Sequence, residues 1–169
     1  MTHLGNAAAR QDILSRLAVL APGSPALWGR MNANQMVCHL ADSYRVVMGE
    51  KPVSLATNIF QRTLVKWIAL YVPLPWPRGL PTRPEVEQGI GGTPPADFAR
   101  DRADLERVIQ AFSDPRRRFQ WQPHPIFGDM SETEWMRWGY LHADHHLRQF
   151  GVQAGTCLTE RKRFETDNT

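Results

Sequence analysis

Two histidines near the end of the chain lie four residues apart, a spacing at which both side chains could bind one metal ion. His142 and His146 belong to a segment, 131–150, whose pattern predicts an α-helix. Because an α-helix turns about 100° per residue, His146 falls about 40° from His142, on the same face as Trp135 and Trp138. We therefore expect both imidazoles to point into the core, where they could chelate a divalent metal. The intervening Ala-Asp-His lacks the glutamate of the His-Glu-x-x-His proteases.

A third imidazole is needed, because a catalytic zinc-type site has three protein ligands and an open position. His39 is the candidate, since it shares a helix face with Met36 and Leu40 and should point inward. A single inward histidine is more often a hydrogen-bonded core residue, and the helical pair alone fits a core and a metal site about equally. Three buried imidazoles without a metal would each need a polar partner, because an unsatisfied buried polar group costs about 1–3 kcal/mol. We therefore predict that His39, His142 and His146 bind a divalent metal and act catalytically through it.

Four further residues are candidates around this site. His124 could be an additional ligand or an acid–base group, although a loop histidine that caps a helix is the commoner case. His145 lies at the edge of the same helix face, where it could support the site or pack elsewhere. Gln149 and Asp42 could fix the orientation of an imidazole by a hydrogen bond, or could bond elsewhere in the core or at the surface.

Five helices are predicted from apolar residues that recur at helical spacing. Capping boxes begin two of them, Asn32 with Gln35 and Ser131 with Glu134. The fourth helix should begin with the two prolines that follow Thr93, because a missing N–H costs nothing in the first turn. The predicted ranges are about 6–20, 32–49, 55–71, 94–112 and 131–150.

The connections between these helices set the expected fold class. A proline-rich stretch, about 72–95, is long for a connection inside a compact domain. Only 118–122 alternates as a strand would, and the helix around Trp67 should be buried rather than in contact with a membrane. We predict an all-α protein, an up-and-down four-helix bundle with a long proline-rich connection and a short extra helix or turn.

The last predicted helix carries a second apolar stripe, formed by Met136, Tyr140, Ala143 and Leu147. A helix that is apolar on two sides is either central in its domain or part of a subunit interface. This stripe modestly favours a homodimer.

Composition excludes several other classes of protein. The chain has 169 residues, 42% of them hydrophobic, and 20 Lys and Arg against 17 Asp and Glu, which gives a net charge of +3. This composition predicts one folded domain over 1–169 with loose ends at about 1–5 and 160–169. The two cysteines, Cys38 and Cys157, cannot form a dense disulfide framework. We expect no signal peptide, no bilayer span and no nucleic-acid partner, and therefore a soluble cytoplasmic protein.

Three segments of the sequence resemble the DinB/YfiT-like superfamily, and within it a subfamily of unknown function. One motif, Trp-Gly-x-Met-x-x-x-Gln-Met-x-x-His, ends at His39, and the other, His-x-x-His-His-Leu-x-Gln-Phe, starts at His142. The matching segments are 28–42, 124–128 and 134–150. The resemblance implies a four-helix bundle, often dimeric, whose metal is held by one histidine of the second helix and a His-x-x-x-His pair of the last. Carried over, these ligands are His39, His142 and His146.

The expected activity follows from the metal. A metal that lowers the pKa of water or of a thiol would produce a nucleophile near neutral pH, which gives a hydrolase or a transferase. Some proteins of the superfamily use mycothiol or bacillithiol, so the resemblance implies a small-molecule substrate and a low-molecular-weight thiol as co-substrate. Three imidazoles suit zinc, nickel or iron about equally. The alternative is a stress-related metal- or ligand-binding module without turnover.

Overall fold

The computed structural model describes residues 1–56 and 58–154, and the helices in these ranges confirm the all-α prediction. No strand forms among these residues. The five α-helices are α1 (Ala7–Val19), α2 (Ala33–Val47), α3 (Lys66–Tyr71), α4 (Phe98–Ser113) and α5 (Glu132–Gln149). A π-helical turn, Gln61–Val65, leads directly into α3, and a 3₁₀ turn, Pro84–Val86, lies in the long connection before α4.

The predicted capping boxes are present at both helices for which they were expected. In α2 the side chain of Asn32 accepts from the backbone N–H of Gln35, while the Gln35 side chain accepts from the N–H of Asn32. The same reciprocal pair joins Ser131 and Glu134 at the start of α5. These local contacts satisfy the first backbone donors of each helix, so the predicted starts of α2 and α5 are confirmed.

The third and fourth helices begin later than predicted. Asn58 and Gln61 exchange side-chain to backbone hydrogen bonds of 2.9 Å each, so the helical segment starts near residue 59 rather than at 55. The fourth helix is capped by Asp97, whose side chain accepts from the N–H of Arg100. Its prolines therefore precede the helix instead of forming its first turn.

The alternating segment 118–122 does not form a strand, which agrees with the all-α prediction. Its Gln122 N–H donates to the carbonyl of Val47 at 2.9 Å, but no ladder of hydrogen bonds follows. Trp121 stacks on Trp135 of α5, with 5.6 Å between ring centroids. The apolar alternation therefore reflects aromatic packing on helices and not sheet pairing.

Helix α5 is central, and its second apolar stripe is covered from within the chain. Met136, Ala143 and Leu147 are all buried, and α1 packs along α5. The N–H of Leu4 donates to the carbonyl of Met136 at 3.0 Å, and the Leu4 side chain is fully buried. Leu4 is thus fixed in the core, although a loose end was expected at 1–5. The other expected loose end, 160–169, and Cys157 lie outside the described residues. The stripe gives no support for a homodimer.

The surface of the segment from residue 59 to residue 71 is apolar and exposed, contrary to the expected burial of this helix. Trp67 is 56% exposed and Ile59 77% exposed. We call this surface the 59–71 face. Its exposed large apolar side chains are Ile59, Phe60, Leu64, Trp67, Ile68 and Tyr71. In the part of the chain that the structure describes, every helix is too short or too polar to cross a membrane.

Candidate metal centre

The structure brings together the three histidines that the sequence predicts as ligands. His39 comes from α2, and His142 and His146 come from successive turns of α5. One nitrogen of each ring lies within 4.8 Å of the corresponding nitrogens of the other two rings. A tetrahedral zinc site with Zn–N bonds of about 2.0–2.1 Å places its nitrogens about 3.4 Å apart, so small side-chain rotations bring the three atoms to metal-binding distance.

The ring of His39 is oriented by the long connection between α3 and α4. Its Nδ1 lies 3.0 Å from the carbonyl oxygen of Val86, the last residue of the 3₁₀ turn. Because a carbonyl can only accept, Nδ1 carries the hydrogen and donates it. Nε2 of the neutral ring then keeps its lone pair, as a metal ligand requires.

Gln149 orients the ring of His146 in the same way. Its Oε1 lies 2.9 Å from Nδ1 of His146, while its Nε2 donates to the carbonyl of Trp28 at 2.7 Å. The second bond fixes the amide with its oxygen toward the imidazole, so Nδ1 is the donor and Nε2 is left as an acceptor. Gly29 gives the amide room, since it has φ +79° and a Cβ there would lie 2.5 Å from Nε2 of Gln149. The predicted supporting role of Gln149 thus has a direct contact behind it.

His142 supplies the observation that most clearly requires a further group. Its Nδ1 is buried and has no hydrogen-bond partner among the described residues. The ring lies between those of Trp138 and Trp76, at centroid distances of 4.9 and 6.0 Å. Native proteins rarely leave such an atom unsatisfied, because the cost is about 1–3 kcal/mol. A metal bound to the three histidines fits this donor set.

The electrostatic environment keeps these imidazoles neutral. Burial lowers the pKa of His39, of His142 and of His146, and the last two are lowered well below 6.5. Their mutual proximity lowers the pKa of His142 and His146 further, because one protonated ring disfavours a second. Neutral imidazole is the form that binds a metal, so the cluster is ready to do so at neutral pH.

His145 lies outside the cluster, at its half-buried edge. Its ring is 5.9 Å from that of Trp28 and 6.1 Å from that of Trp76, measured between centroids. Burial is the main cause of its lowered pKa. His145 therefore forms part of a wall beside His146 rather than a fourth ligand.

His124 has a structural contact that explains its position. Its Nδ1 accepts from the backbone N–H groups of Ile126 and Phe127, each at 3.1 Å, so it closes the turn before α5. Its ring stacks on Phe127, and burial lowers its pKa to about 3. His124 is not in the three-histidine cluster, and the alternative of a loop histidine describes it better than the acid–base role.

Asp42 contacts the connection and not an imidazole. Its Oδ2 accepts from Lys51 Nζ and from the N–H of Thr93, and its Oδ1 accepts from the Thr93 hydroxyl, each at 2.7 Å. Its charge raises the pKa of His39, but the described structure gives it no hydrogen bond to a ring of the site. Asp42 therefore does not orient an imidazole, as one of its predicted roles required. It attaches the connection between α3 and α4 to α2.

Sequence reasoning missed the contributions of Val86, Trp28 and Trp76. Val86 acts through its backbone carbonyl, which any residue offers, so the side-chain pattern carries no signal for it. Trp28 and Trp76 lie in segments of irregular structure, where no helical period indicates a direction. Trp28 begins the motif that ends at His39, which was a signal for its importance, whereas Trp76 had only its place in a proline cluster.

The comparison with known families agrees with the extent of this fold. The profile of the family described as "Protein of unknown function (DUF1569)" matches residues 5–153. The chain belongs to this family. The DUF1569 match includes all three histidines, but the description gives no activity. No curated protein and no solved structure shows significant similarity to the chain.

Proposed function

We propose that this DUF1569 protein is a metal-dependent enzyme that activates water or a low-molecular-weight thiol at the site formed by His39, His142 and His146. The observation that carries the proposal is the convergence of one ring nitrogen from each histidine to within 4.8 Å of the others, with two of the rings held by hydrogen bonds. A divalent metal there would supply Lewis-acid chemistry, lowering the pKa of the nucleophile. Zinc, nickel and iron all accept three imidazoles.

The chain's own residues would hold and shield the reacting group. Val86 and Gln149 keep the two imidazoles aimed at one point, and Trp76 covers His142. His142 and His145 are each partly exposed, and we propose that a small molecule approaches the site on their side. This arrangement suits a thiol-dependent S-transferase, in which the thiolate attacks an electrophile, or a hydrolase.

The wider relationship to DinB/YfiT-like proteins is part of the proposal. Helices α1, α2, α4 and α5 are the four long helices, so we propose an up-and-down four-helix bundle with α3 as the short extra helix. The ligand positions, one on the second helix and two on the last, support the same kinship. The free buried thiol of Cys38 suits the reducing cytoplasm, where we propose that the protein acts.

We also propose that the protein is a homodimer, formed through the 59–71 face. Monomeric proteins rarely expose contiguous apolar patches above a few hundred Å². Trp67→Glu should convert the dimer to a monomer in sedimentation experiments, while Ile90→Glu, at a residue 69% exposed outside this face, should not. A monomeric wild-type protein at micromolar concentration would refute this part.

Metal analysis tests the central proposal. Purified protein incubated with zinc should contain about one ion per chain by mass spectrometry. His39→Ala, His142→Ala and His146→Ala should each lose the metal, and His3→Ala, distant from the cluster, should retain it. Wild-type protein that binds no zinc, nickel or iron would overturn the site.

Turnover separates an enzyme from a binding module. Thiols paired with electrophiles, and activated esters, would be screened with the metal-loaded protein, and any activity should disappear in His146→Ala. A stoichiometric metal with no turnover across both substrate classes would favour the non-catalytic alternative.

A further inference from the structure

A guanidinium group lies near His145, at the edge of the three-histidine cluster. Arg78 is exposed, and its Cζ lies 4.3 Å from the centre of the Trp28 ring. A cation stacked on an indole face is held in place by the ring's electron density. The Trp28 ring in turn lies 5.9 Å from that of His145, between centroids. Arg78 is therefore held close to His145, whose ring lies 5.2 Å from that of His146 between centroids.

Trp28, on which Arg78 stacks, is connected by hydrogen bonds to His146, one of the proposed metal ligands. The carbonyl of Trp28 accepts from Gln149, and Gln149 binds His146. The N–H of the preceding Leu27 donates to the carbonyl of Gln149 at 2.7 Å. A group bound by Arg78 would thus keep a constant position relative to the three histidines.

The charge of Arg78 has no counterpart nearby in the described chain. No carboxylate among residues 1–56 and 58–154 lies within 4.0 Å of its guanidinium. Asp144, the acidic residue next to His145, is paired with Arg16 at 2.8 Å and with Arg148 at 3.7 Å. Glu87 lies 3.9 Å from Arg30. Asp144 and Glu87 are therefore paired with other arginines, and the stacked guanidinium is available to a ligand.

Resting on the proposed function, we propose that Arg78 binds the carboxylate or phosphate group of the small-molecule substrate, while Trp28 and Trp76 contact its apolar body. A guanidinium presents two parallel N–H donors that match the oxygens of either anion. The two indoles offer apolar surface on both sides of His145. The substrate class is thus a small organic anion with an apolar or aromatic part.

Matched probes test the anion preference without requiring turnover. Phenylacetate and phenyl phosphate carry the anion, and phenylacetamide is the neutral counterpart of the first. Their binding would be measured by calorimetry and tryptophan fluorescence, on zinc-loaded and on metal-free protein. We expect both anions to bind more tightly than the amide, and the preference to persist without metal because Arg78 is a protein group.

Two variants separate Arg78 from the general positive charge. Arg78→Gln should weaken binding of the anions about tenfold, equivalent to about 1.4 kcal/mol, and leave the amide unchanged. Arg116→Gln removes the same charge from a side chain that is 90% exposed beyond the end of α4 and should change binding less than twofold. Arg78→Lys should fall between wild type and Arg78→Gln, because it keeps the charge but loses the planar fork.

Several outcomes would overturn the proposal. These are equal binding of anion and amide, equal losses in Arg78→Gln and Arg116→Gln, or no binding of any probe at millimolar concentration. Anion binding that requires zinc and is unchanged in Arg78→Gln would also overturn it. Failure of the metal site alone would appear as absent zinc with an intact Arg78-dependent preference, so the two proposals fail separately.

Discussion

Replacing Gln149 by leucine tests whether one hydrogen-bonded amide controls the metal site. Leucine is close to glutamine in size and has a high helix propensity, so α5 should keep its length. The change removes the acceptor for His146 Nδ1, at 2.9 Å, and the donor to the carbonyl of Trp28, at 2.7 Å. It leaves all three histidines in the chain.

The expected magnitude follows from these two bonds. Loss of a hydrogen-bonded partner of a liganding histidine typically lowers metal affinity 10- to 100-fold, so zinc binding should weaken by about 1.4–2.7 kcal/mol. Because Gln149 is only 3% exposed, two polar groups also lose their partners away from water. At about 1–3 kcal/mol each, with Trp28 half-buried, the metal-free protein should lose about 2–4 kcal/mol of unfolding free energy.

The assay uses two measurements on the same protein. Competition with a chromogenic chelator gives the zinc dissociation constant, and urea denaturation of the metal-free protein gives the free energy of unfolding. Gln149→Glu keeps an acceptor for His146 but offers no donor to Trp28, so it should retain zinc affinity while losing stability. Gln11→Leu, at an exposed position of α1, controls for loss of an amide.

The combination of results decides between roles. Lost stability with wild-type zinc affinity in Gln149→Leu would show that the amide supports only the fold, and our account of ligand orientation would be wrong. Unchanged values in both assays would show that neither hydrogen bond contributes measurably.

The structure predicts the direction in which the free energy of unfolding changes for one condition and two substitutions. All three are measured by urea denaturation of metal-free protein. Lowering the pH from 7 to 5 should destabilise the fold, because burial lowers the pKa of His124 to about 3 whereas an unfolded histidine has a pKa near 6.5. At pH 5 only the unfolded state takes up this proton, which lowers the free energy of unfolding by about 2 kcal/mol. Equal stability at the two pH values would contradict the burial effect. Asp42→Ala should cost about 2–3 kcal/mol, because it leaves Lys51, 19% exposed, without its carboxylate; a loss below 0.5 kcal/mol would refute that pair's importance. Gly139→Ala should destabilise by about 1–2 kcal/mol, since the new Cβ would lie 2.9 Å from Phe112 Cε1 and overpacking outweighs about 1 kcal/mol of helix propensity; increased stability would show that the core yields.

The features that the sequence predicted are those determined over a few residues. The capping boxes of α2 and α5, and the shared face of His142 and His146, depend on contacts one helical turn apart. The proximity of His39 to that pair was also predicted, because all three histidines lie on helix faces that should point into the same core. The metal itself and the reaction remain proposals.

The features that the sequence did not predict depend on partners distant in the chain. Val86 is 47 positions from His39, and Trp28 is 121 positions from Gln149. The exposed 59–71 face was missed because apolar residues at helical spacing predict burial whether or not another element covers them. Asp42 was misplaced for a similar reason, since its partner Thr93 lies in irregular structure.

The hydrogen bond between His39 and Val86 would couple the proposed metal to the long connection. A ligand that binds only when the connection is packed on His39 stabilises that packing by mass action. Each tenfold excess of metal over its dissociation constant would then contribute about 1.4 kcal/mol against local unfolding of the connection. Asp42, like His39, belongs to α2, and it accepts a hydrogen bond from Thr93 of the connection. The connection is therefore attached to α2 at two points. Amide hydrogens around residues 86–93 should therefore exchange more slowly when metal is bound, although they are no part of the ligand set. The proposed metal would then stabilise the connection as well as the three histidines.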